Sequence, residues 1–62
     1  MREATWTNGK STVKGYWDYH WASDCFVVTI FKRNSLTGAS EQTFRVYGDT
    51  PEWGKWKQVK TP

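Results

Sequence analysis

Ten residues, "TVKGYWDYHW" from Thr12 to Trp21, change character at every step. Val13, Trp17, Tyr19 and Trp21, with Gly15 among them, fall on one side of an extended chain, while Thr12, Lys14, Tyr16, Asp18 and His20 fall on the other. Successive side chains of a strand point to opposite faces, so this period of two predicts a half-buried β-strand. The stretch also shows what the core must be made of. The larger non-aromatic apolar residues are Val13, Val27, Val28, Val46, Val59, Ile30, Leu36 and Met1, against five Trp, three Tyr and three Phe. Each large ring withdraws roughly 150–250 Å² from water when buried. The chain therefore folds only if several rings are interior. Its 62 residues allow one small domain, 1–62, which buries about 60% of the surface its unfolded form exposes.

The neighbouring segments extend the β pattern. "CFVVTIFKR" is β-branched and aromatic and apolar on both faces, the mark of a central strand. "NSLTGAS" carries turn chemistry, and "EQTFRVY" reads as a further strand with Phe44 and Val46 opposite Thr43, Arg45 and Tyr47. Asn8-Gly9, between "EATWT" and "KSTVK", predicts a two-residue type I′ hairpin and a short first arm. After Gly48 the period changes to three, through Trp53, Trp56 and Val59. Thr50 suits an N-cap, Pro51 a first helical position and Glu52 the positive helix end, with Lys55, Lys57 and Lys60 toward the other end.

The expected class is thus α+β, mostly β: a three- to four-stranded antiparallel meander with a short C-terminal helix packed on one face. The competing arrangement is a 3₁₀ turn and a last strand that closes a small SH3-like barrel. In its order of elements alone, three strands then a helix resembles phage integrase arm-binding domains and plant ethylene-response DNA-binding domains. That resemblance implies nucleic-acid binding but carries no residue across.

Placing Trp21 opposite Phe26 sets Tyr19 against Val28 and Trp17 against Ile30; the next hairpin sets Val28 beside Val46 and Ile30 beside Phe44. One face then collects Val13, Trp17, Tyr19, Trp21, Phe26, Val28, Ile30, Phe44 and Val46, covered by Trp53 and Trp56. A one-residue slip would scatter this set between the faces. The opposite face carries Lys14, Tyr16, Phe31, Arg33, Arg45 and Tyr47, with Tyr16 across from Phe31 and Lys14 near Arg33. Three rings to stack on and three cations for phosphates are what a strand of bases requires. The same face also fits an ordinary solvated surface, or one covered by the N-terminal arm.

The formal net charge of +3 suits a polyanion and argues against a mimic of DNA. Cys25 is alone, so no intrachain disulfide forms, and no apolar run marks a leader or a membrane span. A soluble cytoplasmic protein is expected. Cys25 and His20 lack a nucleophile's arrangement, His20, Asp18, Asp24 and Cys25 lack a zinc spacing, and the five glycines are dispersed. The expectation is no enzyme and no cofactor or metal. The first expected function is a non-catalytic nucleic-acid-binding module, for DNA or RNA. The alternative is a small protein-interaction module, a phage- or plasmid-type inhibitor or accessory factor docking on one host protein through the same face; a homodimer is compatible with either. Sugar binding through exposed Trp ranks behind both, because most of the Trp are needed inside.

Overall fold

Hairpin follows hairpin through the first three quarters of the chain. A computed structural model describes residues 1–34, 36 and 38–59. The strands are β1 (Arg2–Thr7), β2 (Thr12–His20), β3 (Cys25–Asn34), β4 (Gly38–Val46) and β5 (Lys57–Val59). They form one antiparallel sheet in the order β4-β3-β2-β1-β5. No helix is present among the described residues, so none is there to cross a membrane.

The expected C-terminal helix is therefore corrected, and with it the α+β class. The period of three that suggested it belongs to a turn. Trp56 N donates to Trp53 O at 2.8 Å, the two residues form an antiparallel bridge, and Gly54 has φ +57°. The first and fourth residues of a tight turn face one another, so i, i+3 spacing serves a turn as well as a helix. Positive φ at the first central position is what glycine supplies cheaply. Thr50 caps nothing; its hydroxyl lies 3.3 Å from Glu52 Oε1, and Glu52 Oε2 accepts from Gln58 N at 2.5 Å. The last strand of the barrel alternative does form, pairing Thr5 with Val59 and Thr7 with Lys57. No pairing joins β4 to β5 among the described residues, so the sheet stays open. With the helix absent, the likeness to integrase arm-binding and ethylene-response domains lapses.

The Asn8-Gly9 hairpin is present, with a different turn. Thr7 pairs with Thr12, leaving a four-residue loop in which Asn8 Oδ1 accepts from Lys10 N at 2.8 Å and Ser11 N at 2.7 Å. Gly9 takes positive φ but Asn8 does not, which rules out type I′.

Both later registers differ from expectation by two residues. Tyr19 pairs with Phe26 and Trp17 with Val28; Phe26 pairs with Val46 and Val28 with Phe44. The cause at the β2–β3 hairpin is Trp21, which belongs to the turn. Ser23 N bonds His20 O, Asp24 N bonds Trp21 O, and Asp24 sits at φ 52°, a left-handed position that Asp tolerates. Trp21 is 83% exposed and leaves the core set. A shift of two preserves the faces, so the rest of that set stands.

The core cluster is Trp6, Val28, Ile30 and Val46, with Ala4, Val13, Trp17, Phe26, Phe44, Trp53 and Trp56 packed on it. Tyr19 lies on this face but is half exposed. Trp6, outside the expected set, is fully buried, and its Nε1 donates to Pro51 O at 2.7 Å. Its ring meets Trp53 at 5.2 Å, and Trp53 meets Phe44 at 4.7 Å. The segment before β5 thus covers the core face as expected, without being helical.

Candidate functional site

Pairing residue by residue builds the opposite face. β1 contributes Glu3, Thr5 and Thr7; β2 contributes Lys14, Tyr16, Asp18 and His20; β3 contributes Val27, Thr29, Phe31 and Arg33; β4 contributes Glu41, Thr43 and Arg45. Lys14 stands directly between Thr5 and Phe31, and Tyr16 between Glu3 and Thr29. Tyr16 and Phe31 were expected to be direct partners; they are diagonal neighbours. Their rings still meet edge to face, 5.7 Å between centroids. Phe31 is 43% exposed and Tyr16 half-buried.

A shallow groove of about 750 Å³ runs beside this pair, lined by Met1, Glu3, Thr5, Lys14, Tyr16 and Phe31 over the backbone of Ala4 and Gly15. Ala4 and Gly15 are core-face positions of β1 and β2, so only their backbone reaches the groove as its floor; β3 approaches β2 closely at Gly15. A second hollow, about 440 Å³, lies farther along the same face between Tyr16, Asp18, His20, Trp21 and Val27. Trp21, lost from the core, lines it.

Three of the expected site residues, Lys14, Tyr16 and Phe31, therefore come together. Arg33 follows Phe31 on the same face, pairs with Ala39 and is the diagonal neighbour of Lys14. Arg45 lies apart: it pairs with Val27, four residues along β4 from the partner of Phe31, or about 13 Å at strand rise. Its Nη1 donates to Ser23 Oγ at 3.4 Å. Tyr47 follows the end of β4 and is 70% exposed, off the strand-borne face.

Two carboxylates, Glu3 and Glu41, are the part the sequence reading missed; alternation already places Asp18 on this face. Glu3 is opposite Tyr16 and Glu41 opposite Phe31, so each ring has an acid across from it. Asp18 is also on this face, bonded to the Met1 ammonium at 2.7 Å, with both groups largely exposed. Such an exposed pair contributes about 0–1 kcal/mol. The Asn8-Gly9 turn was the available signal: a loop of two or of four residues puts Glu3 on the Lys14–Tyr16 face, and the observed loop, Asn8–Ser11, brings it opposite Tyr16.

At the far end of the β2–β3 hairpin His20 and Cys25 are direct partners, which their spacing did not suggest. The thiol is fully buried, so no substrate reaches it as placed. Beside it Tyr19 OH donates to the Asp24 carboxylate, and this bond raises the phenol above its ordinary 10.0. No group of three or more His, Cys, Asp or Glu among the described residues could hold a metal ion. Comparisons with protein-family models, curated proteins and solved structures find no significant match to the chain.

Proposed function

We propose that the face centred on Tyr16 and Phe31 binds single-stranded nucleic acid without catalysing a reaction on it. The observation that carries this reading is the edge-to-face Tyr16–Phe31 pair beside an open groove, with Lys14 directly opposite Phe31. An exposed ring offers a base a stacking surface whatever the base is, and the ammonium serves the adjoining phosphate. Arg33, next on the face, continues the basic path. The groove's volume falls in the range of ordinary ligand sites. Arg45, about 13 Å away at strand rise, and Tyr47 lie outside this short footprint.

The interleaved Glu3, Asp18 and Glu41 favour a second reading, a small protein partner docking on the same rings. Mixed charge beside aromatic anchors suits a protein surface, whereas carboxylates repel phosphates.

Titration with single-stranded and duplex oligonucleotides at two salt concentrations separates the two. For nucleic acid, Tyr16→Ala and Phe31→Ala should each cost about 1–3 kcal/mol of affinity with the fold retained. Lys14→Gln should flatten the salt dependence by about one phosphate's worth of released counterion. No binding at low salt would refute the first reading and leave the protein partner. DNA and RNA oligonucleotides of one sequence distinguish the sugar.

A further inference from the structure

The sheet has two edges, and they differ. β5 is three residues long and carries Lys57. β4 runs nine residues, GASEQTFRV, and pairs with β3 without a bulge from Val46 to Gly38. Short length, lysine, proline and bulges are the usual means by which an edge avoids pairing with another chain. β4 is long and regular and carries neither lysine nor proline; its two charges, Glu41 and Arg45, are of opposite sign. Its outer row of backbone donors and acceptors faces no strand among the described residues.

We infer that β4 pairs antiparallel with β4 of a second copy, about a two-fold axis through Thr43. A two-fold axis perpendicular to a continuous sheet keeps like faces together, so only registers centred on a residue are open to it. Centred on Thr43, the register sets Glu41 opposite the partner's Arg45, and by symmetry the partner's Glu41 opposite Arg45. Thr43 meets the partner's Thr43. Within each copy Thr43 already shares a hydroxyl hydrogen bond with Thr29, at 3.0 Å, so a four-hydroxyl ladder would cross the axis. Opposite charges and Thr–Thr pairs are favourable cross-strand neighbours, and like charges are not.

Neighbouring registers lack this match. A centre at Glu41 or Arg45 sets each of those charges against itself. A centre at Gln42 sets Glu41 against Thr43 and Arg45 against Ala39, and a centre at Phe44 sets Arg45 against Thr43. The occupant that fits the charges of this edge is thus a second copy of the chain. The resulting ten-stranded sheet would carry two copies of the Tyr16–Phe31 face side by side.

The inference stands apart from nucleic-acid binding, and its test uses the protein alone. Sedimentation of the wild type from micromolar to millimolar concentration should show a monomer–dimer equilibrium. Glu41→Arg or Arg45→Glu turns two attractive pairs into two repulsive ones and should weaken the dimer about four-fold or more. The double reversal, E41R with R45E, should restore it. Mixed labelled and unlabelled wild-type chains supply a readout that needs no variant, namely inter-copy nuclear Overhauser contacts between Glu41 and Arg45. A monomer at every concentration overturns the inference and leaves the edge to a strand of a different chain. A dimer lacking those contacts, or one that the double reversal does not restore, also overturns it.

Discussion

Replacing Gly15 by Ala sets two effects of opposite sign against each other. In an unstrained extended position the added methyl removes freedom from the unfolded chain and stabilises by about 0.4–1 kcal/mol. Here the methyl would lie 2.0 Å from Thr29 O and 2.9 Å from both Thr29 C and Ile30 Cα. These are backbone atoms, with no rotamer to yield. A carbon–oxygen contact needs about 3.3 Å, so β2 and β3 must part by more than about an ångström at the Gly15↔Ile30 pair. Disturbing two ladder bonds costs about 1–3 kcal/mol. Strain passed to the buried Ile30 and Val28 adds about 1–3 kcal/mol. The steric term wins, and a net loss of about 1–6 kcal/mol follows. A 62-residue domain has about 3–9 kcal/mol in all, so the variant keeps a fraction of it at best. Urea unfolding followed by far-ultraviolet circular dichroism measures the midpoint, and an unchanged m value shows that the folded state bears the loss. A G15A midpoint at or above that of the wild type would refute the close approach of the two strands.

The two core indoles should behave differently when shortened. Trp6→Phe leaves the Pro51 carbonyl without its donor, whereas Trp17→Phe removes an indole N–H that is buried without a partner among the described residues. Trp6→Phe should therefore be the more costly, by about 1–3 kcal/mol; equal midpoints in urea would contradict the Trp6–Pro51 bond. Tyr19 should ionise above the ordinary 10.0, because its hydrogen bond to Asp24 favours the neutral phenol. A raised folded value means that this contribution to stability is present below pH 10.0 and is lost as pH rises through the folded value. Asp24→Asn should lower the Tyr19 titration seen in phenolate absorbance against a Tyr19→Phe reference; an unmoved titration would rule the bond out.

The face division was legible because it depends only on parity. The second and third hairpins slipped by two residues relative to expectation, and no side chain within the strands changed sides; Trp21 and Tyr47 fall outside them. What pattern could not supply was the turn. Nothing in the alternation of "GYWDYHW" distinguishes a strand that ends at His20 from one that ends at Trp21; the left-handed Asp24 decides it. The C-terminal error has a similar cause, since a spacing of three describes both a helical face and the two ends of a β-turn. In the site, Lys14, Tyr16 and Phe31 follow from local alternation and one hairpin. Glu3 and Glu41 entered only once the first and third hairpins were registered. Trp6 was missed because its burial depends on residues 51–59, far along the chain.

That distance has a consequence for the order of assembly. The three hairpins close through loops of three or four residues, whereas the bond from Trp6 to Pro51 spans 45. Closing the longer loop costs about 2 kcal/mol more chain entropy, and non-local contacts of this kind form slowly. The meander should therefore zip up first, with Trp6 bare on one flank, and the Pro51–Val59 strap should dock afterwards. In that interval the ring is open to the solvent and to other chains. The strap then acts as a latch, and slow refolding at high concentration is where its lateness would be felt.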